Sequence, residues 1–283
     1  MVRYTDTCAQ IEKHFADLNI STDKPGFYNK PNFISVETAE PIFLNNYARF
    51  IDCREYSQDY LDYAERRIRE IVTALHPEVL EGPKGACMSG SSVLMKILER
   101  EGIWCYQLKG TLTISFPVQS RLPTQHFYSV VAPGESGQIP AAHSWLVAPP
   151  YKVVDITVKH QGYSDPAMLE YLPDVILEKT SNVPPVFTTE ICSPAAIDYY
   201  SRQGFSKKEV HFKAAPELRN FFPLFPANKF RMNGVDFKYI PMALMAPDEP
   251  LEECRMYPDG RTGDLIYKDR IEQGSPPLGP PPQ

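Results

Sequence analysis

Gly82-Pro-Lys-Gly-Ala-Cys-Met-Ser-Gly-Ser-Ser-Val-Leu-Met-Lys-Ile-Leu-Glu-Arg-Glu-Gly102 reads as a glycine-rich turn feeding a helix. Pro83, Gly85 and Gly90 let the backbone turn tightly and come close to a neighbour. From Val93 onward, Val93, Leu94, Ile97 and Leu98 recur at helical spacing, so one face packs inward. Glu99-Arg100-Glu101 is left to solvent, and Gly102 stands where a left-handed C-terminal cap is expected. Cys87 falls at the helix start. There the positive end of the dipole and the unpaired N–H groups favour thiolate, the nucleophilic form. The rest of the chain is therefore searched for a base and an acid that could serve this thiol.

Upstream, Leu61, Ala64, Ile68, Ile71, Val72 and Leu75 fall at helical spacing, with Glu65, Arg66, Arg67, Arg69 and Glu70 on the outer face. This predicts a helix from Ser57 to about Leu75, stopped by Pro77. A short amphipathic helix is expected from Ala9 to Leu18, and residues 21–50 read as loop-rich. Downstream the pattern turns β-rich at 103–108, 111–116, 127–131, 143–147 and 151–156, and Pro149-Pro150 marks a hairpin-like reversal. A helix followed by consecutive strands, rather than alternating βαβ units, predicts an α+β layer arrangement. Beyond residue 160 the reading gives short helices at Pro166–Leu172 and Pro194–Arg202. It also gives a hairpin within Phe230–Ile240 turning at Asn233-Gly234, and a flexible proline-rich tail at 274–283.

Composition bounds the function. With 283 residues, 43% hydrophobic content, 15 Phe and 16 Tyr, the chain can bury a sizeable core. A net charge of −6 argues against nucleic acid or an anionic membrane as partner. No apolar run approaches the ~18 residues of a membrane span, and the first residues carry no apolar signal core. Six cysteines without regular spacing or a CxxC pair predict reduced thiols and a cytoplasmic setting, with export lacking a cleaved signal as the other possibility. No cofactor is expected, and the Cys/His spacings do not resemble a metal site.

His143 opens an apolar strand, and Asp155 closes the next one twelve residues later. If the two strands pair as a hairpin, the two side chains come within hydrogen-bond reach. An aspartate on one ring nitrogen fixes the tautomer and leaves the other nitrogen to take a proton from a thiol. Cys87, His143 and Asp155 would then be nucleophile, base and orienter. Taken singly, each has a plainer reading: a packing cysteine, a surface histidine, a turn aspartate. His126 could replace His143, but no aspartate follows it at hairpin distance. His160 and His211, beside lysines, read as exposed, and the other five cysteines as structural. A phosphate-loop reading of Gly82–Gly90 lacks the Gly-Lys-Ser/Thr ending.

Gly85-Ala-Cys87 opening a helix, Leu94…Leu98…Glu101-Gly-Ile103, the strand up to Lys109-Gly110, His143-Ser-Trp145 and Val154-Asp155-Ile-Thr157 together resemble the transglutaminase-like (papain-like Cys-His-Asp) superfamily. The match covers about residues 80–160, and no signature places the chain in a subfamily. The segment between Gly110 and His143 is long for a minimal core. The Arg-Gly-Gly lead-in of arylamine N-acetyltransferases and the calcium loops of large transglutaminases are absent. The resemblance implies a nucleophile-bearing helix packed on an antiparallel sheet, with N- and C-terminal extensions. The division would be a helical extension at 1–80, a catalytic core at 81–160, an extension or accessory domain at 161–273 and the tail at 274–283. It further implies thiol-dependent acyl transfer or amide hydrolysis on a protein or peptide, by a protease, deamidase or transglutaminase, through a thioester on Cys87. The oxyanion would be held by the backbone N–H of Cys87 and a second donor, with Gln107 and Trp145 as candidates. An inactive binding or scaffold module and a small-molecule N-acyltransferase are the alternatives. The tail could dock on an SH3- or WW-type groove.

Overall fold

The structure, a computed structural model, describes residues 7–134 and 142–273. Seven strands form one sheet: β1 (Tyr106–Ser115), β2 (Gln125–Phe127), β3 (His143–Ala148), β4 (Tyr151–Asp155), β5 (Ile176–Glu178), β6 (Asn228–Met232) and β7 (Val235–Met245). Their order is β5-β4-β3-β1-β7-β6, every pairing is antiparallel, and β2 also pairs with β1. Strand β1 is the spine. One of its edges runs along β7. The other is shared, with β3 paired to Tyr106–Gly110 and β2 to Leu112–Ile114, so the sheet splits at Thr111. His143 lies at this split, opposite Gly110. Gly110 has to be glycine, because a Cβ there would lie 2.0 Å from the Ile240 carbonyl oxygen. The β6–β7 turn places Asn233 at φ +52° and Gly234 at φ +81°, as a two-residue primed hairpin requires.

Ten helices are described: α1 (Cys8–Asp17), α2 (Pro31–Ala39), α3 (Leu44–Cys53), α4 (Gln58–Glu81), α5 (Cys87–Arg100), α6 (Thr188–Ile191), α7 (Pro194–Arg202), α8 (Val210–Ala214), α9 (Leu218–Phe221) and α10 (Gly263–Ile266). The fold is thus mixed α+β with an antiparallel sheet. Helix α5 packs on β3 and β1, and Gly102 closes it in the left-handed region, φ +74°. Strands β6 and β7 come from the segment read as a C-terminal extension, yet β7 lies beside β1 in the centre of the sheet. No helix among the described residues is long and apolar enough to cross a membrane. The proline-rich tail at 274–283, with its expected SH3- or WW-type partner, lies outside the described residues.

Several expectations are corrected. Pro77 does not stop α4, which runs on to Glu81. Proline removes one backbone bond and strains the turn before it, but the last turn is held from outside. The buried Glu78 carboxylate accepts from Arg261 at 3.1 Å and Arg270 at 2.6 Å, and Val79 enters the core. Much of the stretch 21–50, read as loop-rich, forms α2 and most of α3. Pro31 sits at the first helical position, where a missing N–H costs nothing, so an apparent breaker is a start signal. These helices and the turn between them bury Phe33, Phe43, Tyr47 and Phe50 against Phe15 and Phe27.

Cys8 and Cys53 are not reduced thiols but a disulfide joining α1 to α3, with Cα atoms 5.4 Å apart. Glu101, expected in solvent, is buried, and Glu99 is half-buried with its carboxylate turned inside. Glu101 takes Arg67 Nε at 2.8 Å and Nη2 at 3.1 Å, which ties α5 to α4 and also buries an arginine assigned to the outer face.

Candidate active site

Helix α5 begins bare. Ala86 precedes it without a side-chain cap, and the backbone N–H of Cys87 has no acceptor among the described residues. The turn before it is set by Gly85, at φ +85°, whose N–H donates to the His160 carbonyl at 3.0 Å. The first turn of α5 is then stitched to the sheet. Ser91 Oγ donates to the Ser144 carbonyl at 3.1 Å, and Gln107 Nε2 donates to the Met88 carbonyl at 3.0 Å. These bonds bring the buried Cys87 thiol against the start of β3, where Sγ lies 3.7 Å from the Ala142 carbonyl oxygen.

His143 and Asp155 meet across the β3–β4 hairpin, which closes with Ala148 opposite Tyr151. Nε2 of His143 lies 2.5 Å from Asp155 Oδ2, and both side chains are fully buried. The carboxylate is saturated. Oδ2 also accepts from the Tyr239 hydroxyl at 2.8 Å. Oδ1 accepts from the Thr157 N–H at 2.8 Å and the Thr157 hydroxyl at 3.1 Å. Gly90 allows α5 to lie close to this loop, since a Cβ there would stand 3.2 Å from Thr157 Cγ2. The imidazole is walled by the rings of Phe127, Trp145 and Tyr239, with centroids 6.1–6.3 Å away. Its second nitrogen, Nδ1, is buried and makes no hydrogen bond of ordinary geometry among the described residues.

The electrostatics follow from this packing. Burial by itself would hold His143 neutral, but the charge and hydrogen bond of Asp155, then the nearness of Cys87, outweigh it and raise the imidazole's affinity for a proton. Burial likewise pushes Asp155 up, but His143, the Thr157 N–H and Tyr239 together hold it below the usual carboxylate range. Burial and the Asp155 charge drive Tyr239 well above the normal phenol range, so it remains a donor. The pair is therefore built to hold an imidazolium against a carboxylate, with a thiol beside the ring.

The two candidate oxyanion donors are placed differently. Gln107 spends both amide N–H groups, on the Met88 carbonyl and on Ser144 Oγ at 2.9 Å, and its Oε1 accepts from Ser92 Oγ at 3.0 Å. It braces the first turn of α5. Trp145 stacks beside His143 and meets Tyr239 edge-on at 4.9 Å. With Tyr106, Phe225 and Tyr239 it lines a cleft of about 120 Å³ on the His143 face of the sheet.

Tyr239 and Thr157 were not picked out from sequence. Thr157, two residues past Asp155, is the kind of position a turn aspartate bonds. Tyr239 comes from a strand 84 residues downstream of Asp155 and carries no local signal.

The other residues considered lie apart. His126 Nδ1 pairs with Thr113 Oγ1 at 3.1 Å. His160 and His211 are not simply exposed: half-buried His160 bonds the Gly82 carbonyl at 2.7 Å, and His211 is buried against Thr188 Oγ1 at 2.8 Å. Burial pushes the thiols of Cys192 to about 12 and Cys254 to about 11, and raises Cys105 well above its ordinary value. No His/Cys/Asp/Glu cluster able to hold a metal ion occurs among the described residues. Comparison of the chain with protein-family models, with curated proteins and with solved structures finds no match in any of the three.

Proposed function

We propose that the chain is a cysteine-nucleophile hydrolase or acyltransferase with a transglutaminase-like core, acting on a protein or peptide amide. The observation that carries the proposal is the buried His143–Asp155 pair with its second ring nitrogen unpaired, beside a thiol at an uncapped helix start. Burying an ionisable pair costs desolvation that apolar side chains would avoid. Here three separate devices, Tyr239, Thr157 and the β3–β4 hairpin, hold the pair in place next to the thiol. A purely structural pair needs neither the thiol nor the free backbone N–H.

The steps follow from these groups. Cys87 Sγ, its proton held on His143 Nδ1, attacks the carbonyl carbon of the amide. The tetrahedral oxyanion accepts from the Cys87 N–H. A second donor would be Trp145, or Gln107 if it gives up its bond to Met88 or Ser144. Nδ1 passes its proton to the amide nitrogen, the C–N bond breaks, the amine leaves and a thioester remains on Cys87. Water or an amine then attacks the thioester, losing a proton to Nδ1, and the C–S bond breaks. Water completes proteolysis or deamidation, and an amine completes cross-linking.

Alkylation by iodoacetamide at pH 6–7, read by peptide mapping, tests the proposal. Cys87 should label fastest and lose that advantage in His143→Ala. Equal, slow labelling of Cys87, Cys105, Cys192 and Cys254 would refute it. Proteomic comparison of a lysate treated with wild type and with Cys87→Ala then separates cleavage, deamidation and cross-linking by mass.

A further inference from the structure

The sheet face beneath α5 carries a cation that the site described so far leaves unused. Cys105 and Gln107 both meet α5, Cys105 Sγ at the Met95 carbonyl and Gln107 Nε2 at the Met88 carbonyl. One two-residue step along β1 thus travels from the middle of the helix to its first turn. Side chains on a strand alternate, so the next on this face is Lys109. It falls past Met88, at the end of α5 where Cys87 stands. The register across the sheet agrees. Lys109 pairs with Ser144 of β3, and the Cys87 thiol meets the carbonyl of Ala142, the residue just before that strand.

Lys109 is half-buried and forms no ion pair or hydrogen bond among the described residues. Three buried cations are matched to carboxylates, Arg67 to Glu101, Lys238 to Glu190 and Lys96 to Glu99, and half-buried Arg54 is matched to the rings of Trp104, Phe50 and Tyr56. The β1–β7 register shifts between Lys109 and Gly110, where Met242 of β7 is the extra residue, so β1 itself keeps its alternation through Lys109. A cation held partly out of water without a counter-ion, in a chain of net charge −6, is placed to meet an anion from outside.

We propose that Lys109 receives a carboxylate of the acyl donor, so that the site selects peptides with an acidic side chain or a terminal carboxylate close to the reacting amide. This rests on the assignment of Cys87 as nucleophile and names the substrate class that assignment leaves open. Farther along this face Thr111 bonds Ser129 and Thr113 faces His126, and the cation opposite Thr113, Lys238, is already taken by Glu190.

The test compares two alkylating agents that differ in charge. Rate constants for Cys87 are measured with iodoacetate and with iodoacetamide in wild type, Lys109→Gln, Lys109→Glu and Lys109→Arg. Each protein is its own control through the ratio of the two rates, and a thermal melt confirms folding. The ratio should fall about tenfold in Lys109→Gln and further in Lys109→Glu. It should be retained in Lys109→Arg and shrink in wild type as salt is raised. An unchanged ratio in Lys109→Gln, with Cys87 still labelled selectively by iodoacetamide, overturns the role of Lys109 and leaves the nucleophile standing. Loss of selective iodoacetamide labelling in wild type overturns both.

Discussion

Replacing Asp155 by Asn keeps the shape of the side chain and removes its charge. Asp155 accepts four hydrogen bonds, from His143, Tyr239 and twice from Thr157. The amide has one oxygen to accept with, and its NH₂ group must face either the Thr157 donors or the His143–Tyr239 donors. Breaking a buried pair by removing one partner costs about 3–5 kcal/mol. At roughly 2–4 °C per kcal/mol for a chain of this size, the melting temperature should fall by about 10 °C.

The loss depends on pH. His143 is raised in the folded state, so its contribution is complete below the unfolded imidazole value of about 6.5 and fades as pH climbs through the raised one. Asp155 is depressed, so its contribution is complete above about 3.9 and fades as pH falls through the lower folded value. The gap between wild type and Asp155→Asn should therefore be widest between about pH 4 and 6.5 and narrow at alkaline pH. Without the carboxylate, burial leaves His143 neutral. Cys87 alkylation by iodoacetamide at pH 6 should then slow by about 10²-fold. Thermal melts at pH 6 and pH 9.5, with labelling at pH 6, decide the matter. A loss under about 2 °C at pH 6, or labelling as fast as in wild type, would refute the reasoning.

Two further outcomes follow from the same structure. Tyr239→Phe keeps the ring against Trp145 but removes one bond to the carboxylate, so it should cost about 1.5–3 kcal/mol. Its effect should shrink when combined with Asp155→Asn, and strict additivity in that double-mutant cycle would exclude the coupling. Glu99 is buried beside Lys96 at 3.6 Å, and burial raises its carboxyl to about 7 from 4.5. Its contribution to stability is thus complete at low pH and lost as pH rises between those values, by about 3 kcal/mol. Denaturant titrations of Glu99→Gln should show a flatter pH dependence than wild type across this range, and parallel curves would rule the assignment out.

What the sequence determined by itself are features that depend on neighbours a few residues away. Helical spacing in Val93–Leu98 marks α5, and Asn233-Gly234 can only be a primed turn. Apolar runs on either side of Pro149-Pro150 make the β3–β4 hairpin, and a hairpin of that length sets His143 beside Asp155. The helix start that carries Cys87 is equally local, because it needs only glycines before an apolar periodicity.

Tertiary structure decided wherever the partner is distant in sequence. Pro77 stays inside α4 because Arg261 and Arg270 hold Glu78. Cys8 finds Cys53 only once α1 packs on α3. The run Glu99-Arg100-Glu101 looks solvated until Arg67 and Lys96 draw its carboxylates inside. Tyr239 reaches Asp155 because β7 inserts beside β1, and Lys109 acquires meaning only when β1 is laid under the first turn of α5. Periodicity reports which face of an element is buried. It carries no information about which distant residue meets that face, because register between elements is set by packing of the whole sheet and its helices.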